Sequence, residues 1–393
     1  MSGGQPGRGA GRGRSPPAAG CRRGEGGSTL LVLLLGLAAA LSLVVALLHP
    51  PHAAFVAGGR LGGTQVVALA PGGPAATADA TGDAGADRGF PRLLIDPIGR
   101  THRLAAPPRR IVSAILAGDE MLADLVPAKR VAAVTYLVDD AGISNVAGHY
   151  PTAIPRVRAR VEELLALEPD LVLVSTHSDA IAVRQLLRAG VAVARFAAFD
   201  SFAEVAANLQ TLGRILGAEE AARAVIARMQ ARLAAVAARV AGEPRPRVLY
   251  YGLDGSTGGP GSLTDEMIQA AGGFNVIRET GITGHRRITP ELAIALQPQV
   301  IVMGDWSGSG EDLAAPLLAD PAWQQVPAIR ARRVHALRGA WVTSGSQFRV
   351  AGVEALAALL HPGCFDADRA GRATGAAPAA APPPTRGTDE RAG

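Results

Sequence analysis

From about residue 90 onward, short and almost unbroken apolar runs alternate with stretches of helical periodicity. The runs RIVSAI (110–115), RVAAVT (130–135), DLVLVS (170–175), VAVARF (191–196), RVLYYG (247–252), QVIVMG (299–304) and RVHAL (333–337) read as strands. Several are continuously apolar, the mark of strands buried on both faces of a parallel sheet. Helices fall between them. Ser201 and Glu204 are spaced as a capping box, Phe202, Val205, Leu209, Leu212 and Leu216 follow at three- and four-residue intervals, and Gly217 suits a helix stop. The next helix, over about 218–241, carries Val225, Met229, Leu233, Val236 and Val240 on one stripe and ends at Gly242. At about 36 Å it outruns the small units around it, and its central place predicts a spine between two lobes.

The pattern VEELLALEPDLVLV (161–174) recurs as PELAIALQPQVIVM (290–303): an acid, a short apolar helix, A-L-x-P, then a strand. Glu162 answers to Glu291, and Pro169 to Pro298. Such a repeat predicts two lobes of similar fold. The expected class is therefore α/β: two Rossmann-like lobes, each with a short, mostly parallel sheet, joined by one long spine helix.

The ends of the chain are built differently. Residues 28–48 carry no charge and, as a helix, would cover about 30 Å, the thickness of a bilayer core. The Arg-rich residues 1–27 would stay in the cytoplasm and the rest outside. A cleaved signal peptide is the rival reading, but no clean A-x-A site follows, which favours an uncleaved anchor. Cys21 precedes the apolar run, which argues against a lipid anchor. It would also lie across the membrane from Cys364, leaving no disulfide or Cys-based metal site. Residues 49–89, above all the Gly/Ala/Thr/Pro-rich part from 58, read as a flexible tether, and 366–393 as a disordered tail. Between them the expected divisions are an N-terminal lobe (90–217), the interlobe helix (218–242) and a C-terminal lobe (243–365). Five arginines (Arg8, Arg12, Arg14, Arg22, Arg23) less Glu25 place most of the chain's +5 charge before residue 28. The body has no basic stripe of the kind nucleic acid requires.

Five segments in order, PPRRIVSAILAGDEMLADL (107–125), HYPTAIPRV (149–157), VEELLALEPDLVLV, TGGPGSLTDEMIQAAGGFNV (257–276) and PELAIALQPQVIVM, resemble the periplasmic binding proteins of ABC importers for ferric siderophores, haem and cobalamin. The resemblance covers roughly residues 90–362. It implies a monomeric, non-catalytic protein that captures a chelate of iron or cobalt between its lobes, needs no cofactor of its own, and docks on a permease driven by a cytoplasmic ATPase. No phosphate loop with a Lys occurs here, so the chain cannot power transport itself. The location implied is the periplasm or the outer face of the cytoplasmic membrane.

The resemblance also implies that Glu162 and Glu291 meet basic residues of the permease, although each equally suits the first turn of a helix. Ligands of open α/β sheets lie beyond the carboxyl ends of the strands. That rule lines the cleft with Ala117, Tyr136, Asp139, Tyr150, Thr176 and His177 from the first lobe and Ser256, Thr257, His285, Arg286, Asp305, Trp306 and Trp341 from the second. With side-chain chemistry, Tyr136, Tyr150, His177, Ser256, Thr257, His285, Arg286, Trp306, Arg338 and Trp341 are the candidate ligand contacts. Trp306 and Trp341 can stack on a planar macrocycle, although partial burial is the more frequent fate of Trp. His177 and His285, one from each lobe, can ligate an iron centre across the cleft, and Tyr150 is a further haem-type ligand. Arg286 and Arg338 suit an anionic siderophore. Arg287 and Arg349 share that chemistry. DGSTGGPGS (254–262) reads as a tight strand–helix loop bearing Ser256 and Thr257.

A hydrolase would need a G-x-S-x-G elbow, which DGSTGG and GDWSGSG both miss. A protein for bare zinc or manganese would need three or four ligands converging between the lobes, for which His149, His177, His285 and Asp305 are the available set. A membrane-tethered ligand sensor is the remaining alternative.

Overall fold

Alternating burial fixes the architecture. Within LVLVS (171–175), Leu171 and Leu173 face one hydrophobic core, and Val172 and Val174 face another, as the two-residue period of a strand demands. The structure, a computed structural model, describes residues 65–68, 89–97, 99–196, 198–308 and 310–365. The anchor expected over 28–48 and the tail over 366–393 lie outside the described residues.

The described chain opens on β1 (Gln65–Ala68), β2 (Arg92–Ile95) and β3 (Thr101–Leu104), an antiparallel sheet in the order β1-β2-β3. The first strand falls inside the stretch expected to be a tether; Gly- and Ala-rich neighbours hide the two β-branched valines of QVVA. Buried Arg92 ties this sheet to the body through Glu219 at 2.5 Å and the carbonyl of Arg214.

The first lobe comprises β4 (Ile111–Ser113), α1 (Leu116–Leu125), β5 (Val131–Thr135), β6 (Arg156–Val157), α2 (Val161–Ala166), β7 (Leu171–Ser175), α3 (Ala180–Arg188), β8 (Val193–Phe196) and α4 (Phe202–Leu216). Its five strands pair in parallel in the order β6-β5-β4-β7-β8. Ser201 caps α4 by accepting from the Glu204 amide at 3.1 Å, and Gly217 ends the helix at a φ of +65°.

The spine follows as α5 (Glu219–Arg239), 21 residues or about 32 Å. It stops short of Gly242, with Val240 as C-cap. Its apolar stripe is buried at Val225, Met229 and Val236, with Leu233 and Val240 partly covered.

The second lobe comprises β9 (Arg247–Tyr250), β10 (Ser256–Gly258), α6 (Leu263–Ala270), β11 (Phe274–Asn275), β12 (His285–Arg287), α7 (Pro290–Ala295), β13 (Val300–Asp305), α8 (Ala315–Ala319), α9 (Pro327–Arg330), β14 (Val334–Arg338), α10 (Gly339–Thr343) and α11 (Val350–Leu360). Four strands pair in parallel as β11-β9-β13-β14, while β10 and β12 form a separate antiparallel pair.

The inner faces of both parallel sheets share a single core. Ile111, Leu171, Leu173 and Ala194 of the first sheet join Val248, Val300 and Val302 of the second through α1, α4, α5 and α11. The outer faces have cores of their own. On the polar side of the spine, Arg232 donates to both carboxylate oxygens of Glu354 on α11 at 2.8 and 2.7 Å.

Candidate functional site: a cleft between the lobes

Loops at the carboxyl ends of β4, β7 and β8 face the end of α10 around a cavity of about 190 Å³. Its walls are Ile115, Leu116, Ala117, Glu120, Ser175 and Phe199 from the first lobe and Thr343, Ser344 and Gly345 from the second. This is where the strand-end rule puts a ligand. The two walls approach closely because Gly345 has no side chain: a Cβ there would lie 2.9 Å from the Phe199 ring. A larger hollow of about 490 Å³, around Glu243, Pro246 and His361, opens instead at the amino edge of the second sheet, away from every strand-end loop.

The floor of the cleft is polar and buried. Glu120, wholly enclosed, accepts from the Asn145 amide at 2.9 Å and side chain at 2.8 Å, and from the hydroxyls of Ser344 at 2.7 Å and Ser346 at 2.6 Å. Gln347 adds a bond to the Glu120 carbonyl at 3.0 Å and another to Asp124 at 2.9 Å. Two of the four donors to the carboxylate come from each lobe, which is how a charge can remain so deep. Its neighbour Asp119 accepts from the Thr135 hydroxyl at 2.5 Å, yet burial outweighs this bond and raises its pKa to about 7. The hydroxyl of Tyr150 donates to the Asp119 carbonyl at 2.5 Å.

The rim is closed by contacts through glycines. The Trp306 ring lies on Gly304 and Gly339, where a Cβ would come within 2.5 and 2.3 Å of it. Gly142 of the first lobe meets the Trp306 carbonyl, 2.1 Å from where its Cβ would be. Arg338 reaches across to the carbonyls of Ala141 at 2.9 Å and Ser144 at 3.1 Å, and Asn145 donates to the Ala340 carbonyl at 2.9 Å.

Of the positions the strand-end rule supplies, Ala117 lines the cavity, while the candidate ligand contacts spread around it and none of them forms its wall. Tyr150 and Thr257 are core residues; the Thr257 hydroxyl donates to the Tyr250 carbonyl at 2.7 Å. The donors of Arg338 are engaged by the opposite lobe, which makes it an interlobe strut where a ligand clamp was expected. Arg349 is 3% exposed and donates to the Ser344 carbonyl at 3.1 Å, so it supports the cleft loop from behind. Half-buried Trp341 packs against Gly352, with the Arg338 guanidinium 6.0 Å from its ring. Tyr136 and Trp306 are exposed, and Arg158 stacks on the Tyr136 ring at 4.1 Å. Ser256 is half-buried on β10, opposite Arg287 of β12. Arg286 is exposed, with one donor on the His285 carbonyl at 2.8 Å.

His177 stands two residues past Ser175, and His285 is on β12; both are exposed. Protein crowds His285 on its other sides, so burial first, then Arg349 and His177, push its pKa down against the pull of Asp200. The two imidazoles therefore feel each other across the lobes. Glu162 and Glu291 are exposed in the first turns of α2 and α7; the Thr289 hydroxyl caps α7, and local hydrogen bonds hold Glu291 below the usual carboxylate range. The missed wall residues are polar Glu120 and Ser344 together with Ile115, Leu116, Phe199, Thr343 and Gly345, most of them apolar or small. The strand-end rule locates their loops, but a search for polar and aromatic chemistry passes over most of them.

The profile of the periplasmic binding protein family matches residues 111–340. A cobalamin-binding protein of Halobacterium salinarum is 32% identical over 261 residues, 64% of this chain and 68% of that protein. An uncharacterized ABC transporter substrate-binding lipoprotein of Bacillus subtilis is 26% identical over 291 residues, 70% of this chain and 87% of that protein. The crystal structure of a periplasmic haem-binding protein from Pseudomonas aeruginosa superposes with a TM-score of 0.55 at 26% identity, covering 65% of this chain and 93% of that one. With two parallel sheets, a spine helix and a cleft at the strand ends, the chain belongs to the periplasmic binding protein family.

Proposed function

We propose that this protein is the extracytoplasmic substrate-binding component of an ABC importer, taking a metal chelate of the siderophore, haem or corrin type into the cleft. The observation that carries the reading is a cavity at the carboxyl ends of the strands with walls from both lobes. Relatives that bind cobalamin and haem support the ligand class. A 190 Å³ cavity is smaller than the roughly 300–1,000 Å³ of sites for such ligands, so the chelate sits higher, between the exposed rim groups Tyr136, His177, His285, Arg286 and Trp306, or the rim parts to admit it. Glu162 and Glu291 carry the loaded protein to the permease; exposed charges of this kind act on association rate and orientation more than on affinity. Residues 28–48 tether the protein, which works as a monomer, to the outer face of the membrane.

The test is titration of the purified protein with haemin, cyanocobalamin, a ferric catecholate siderophore and zinc, followed by tryptophan fluorescence. Sub-micromolar quenching by one chelate supports the proposal and identifies the cargo. Response to zinc alone would replace it with a bare-metal carrier. Silence toward all four from folded protein would favour a ligand sensor.

A further inference from the structure

Among the described contacts between lobes, two groups differ in kind. At the rim, Arg338 reaches the carbonyls of exposed Ala141 and buried Ser144, and the carbonyl of exposed Trp306 rests on Gly142; water can replace the bond to Ala141. On the floor, the Glu120 carboxylate is 0% exposed, and Ser344 and Ser346, its partners from the other lobe, are 2% and 0% exposed. Parting the floor would strand a buried charge and several buried donors without partners, far more unfavourable than rehydrating the rim.

We propose that Glu120 is the fixed pivot of this binding protein: a positioning residue about which the lobes rock, while the Arg338 rim opens and closes over the ligand. The placement fits the role. Glu120 is itself part of the cavity wall, so the pivot lies at the base of the cleft. It holds one segment from each lobe, Asn145 of the first and Ser344–Gln347 of the second, and the Gln347 bonds to the Glu120 carbonyl and to Asp124 secure the same place from the main-chain side. Behind it the spine keeps its own register, with Arg232 on Glu354. Rocking about this point moves the rim and leaves the floor intact, so the cavity wall stays preformed while the mouth changes width.

The experiment uses ligand-free protein, so its outcome is independent of the transport reading. Hydrogen exchange is measured segment by segment, and the spread of interlobe distances is read by pulsed electron resonance between labels at Arg184→Cys and Ala331→Cys, with Cys21 and Cys364 replaced by Ser. Glu120→Ala is expected to speed exchange at least about tenfold in 143–147 and 341–347, since each segment loses two buried bonds and one alone is worth roughly that factor. It should also broaden the distance distribution, with the outer faces of both sheets unchanged. Ser344→Ala with Ser346→Ala, which leaves the charge and Asn145 in place, is expected to reproduce the effect in 341–347 alone. Arg338→Ala is expected to widen the distances without speeding floor exchange. If Glu120→Ala is too unstable to purify, Glu120→Gln and the serine pair give the same readings. Native exchange and native distances in these variants, or acceleration spread evenly over both lobes, would overturn the proposal.

Discussion

Asp119 offers a sharp test of how the cleft floor is built. Its carboxyl is enclosed, and its pKa stands near 7 where the ordinary value is 3.8, with burial as the main cause. The folded state therefore holds a proton that the unfolded chain releases at lower pH. A group raised in this way lowers stability as pH climbs, beginning at the unfolded value and ending once pH passes the folded one. Below pH 3.8 both states are protonated and the group contributes nothing. Between pH 5 and pH 8 about two units of the offset are traversed, roughly 3 kcal/mol at about 1.4 kcal/mol per unit. Asp119→Asn keeps the shape and an oxygen for the Thr135 hydroxyl but cannot ionise. Urea unfolding of both proteins at pH 5, 6, 7 and 8 should show the native protein losing about 3 kcal/mol more than the variant across the range. Parallel stability curves would refute the reasoning, for they would mean that Asp119 is ionised at the same pH in both states.

Three further expectations concern the rim and the docking face. Gly339→Ala puts a methyl group into the Trp306 ring; the indole should swing into water, seen as a red shift in tryptophan emission and weaker chelate quenching. Glu162→Arg with Glu291→Arg should leave chelate binding unchanged and abolish stimulation of the importer's ATPase in proteoliposomes; undiminished stimulation would remove both residues from docking. Because burial and nearby cations push the His285 pKa down, its imidazole should titrate below the ordinary 6.5 in a proton NMR titration of ligand-free protein, and His177→Gln should move that titration upward by relieving a like charge.

Much of this architecture is legible in the sequence because burial writes itself as period. The runs at 170–175, 247–252 and 299–304 each supply residues to two cores, and the spine announces itself through Val225, Met229 and Val236. The first sheet is not legible: β1 is four residues in a Gly/Ala-rich context, and RLLI with THRL is too short for a clear alternation. The cleft is legible only by location. Its floor depends on Glu120 meeting Ser344 and Ser346, more than two hundred positions away, and no local pattern links them. Arg338 and Tyr150 have the chemistry of ligand groups, but hydrogen bonds to main-chain carbonyls already occupy them; side-chain type alone does not reveal whether a donor is free.

The core shared by the inner sheet faces carries a consequence for how the molecule comes apart. Val248, Val300 and Val302 of the second lobe are covered by the same helices that cover Leu171 and Leu173 of the first, so neither lobe can melt without exposing the other. Heating should give one calorimetric transition whose van 't Hoff and calorimetric enthalpies agree, and a fragment ending at residue 217 or starting at 243 should remain unfolded. The halves repeat one pattern of acid, short helix, proline and strand, yet each is expected to need the other's helices in order to fold.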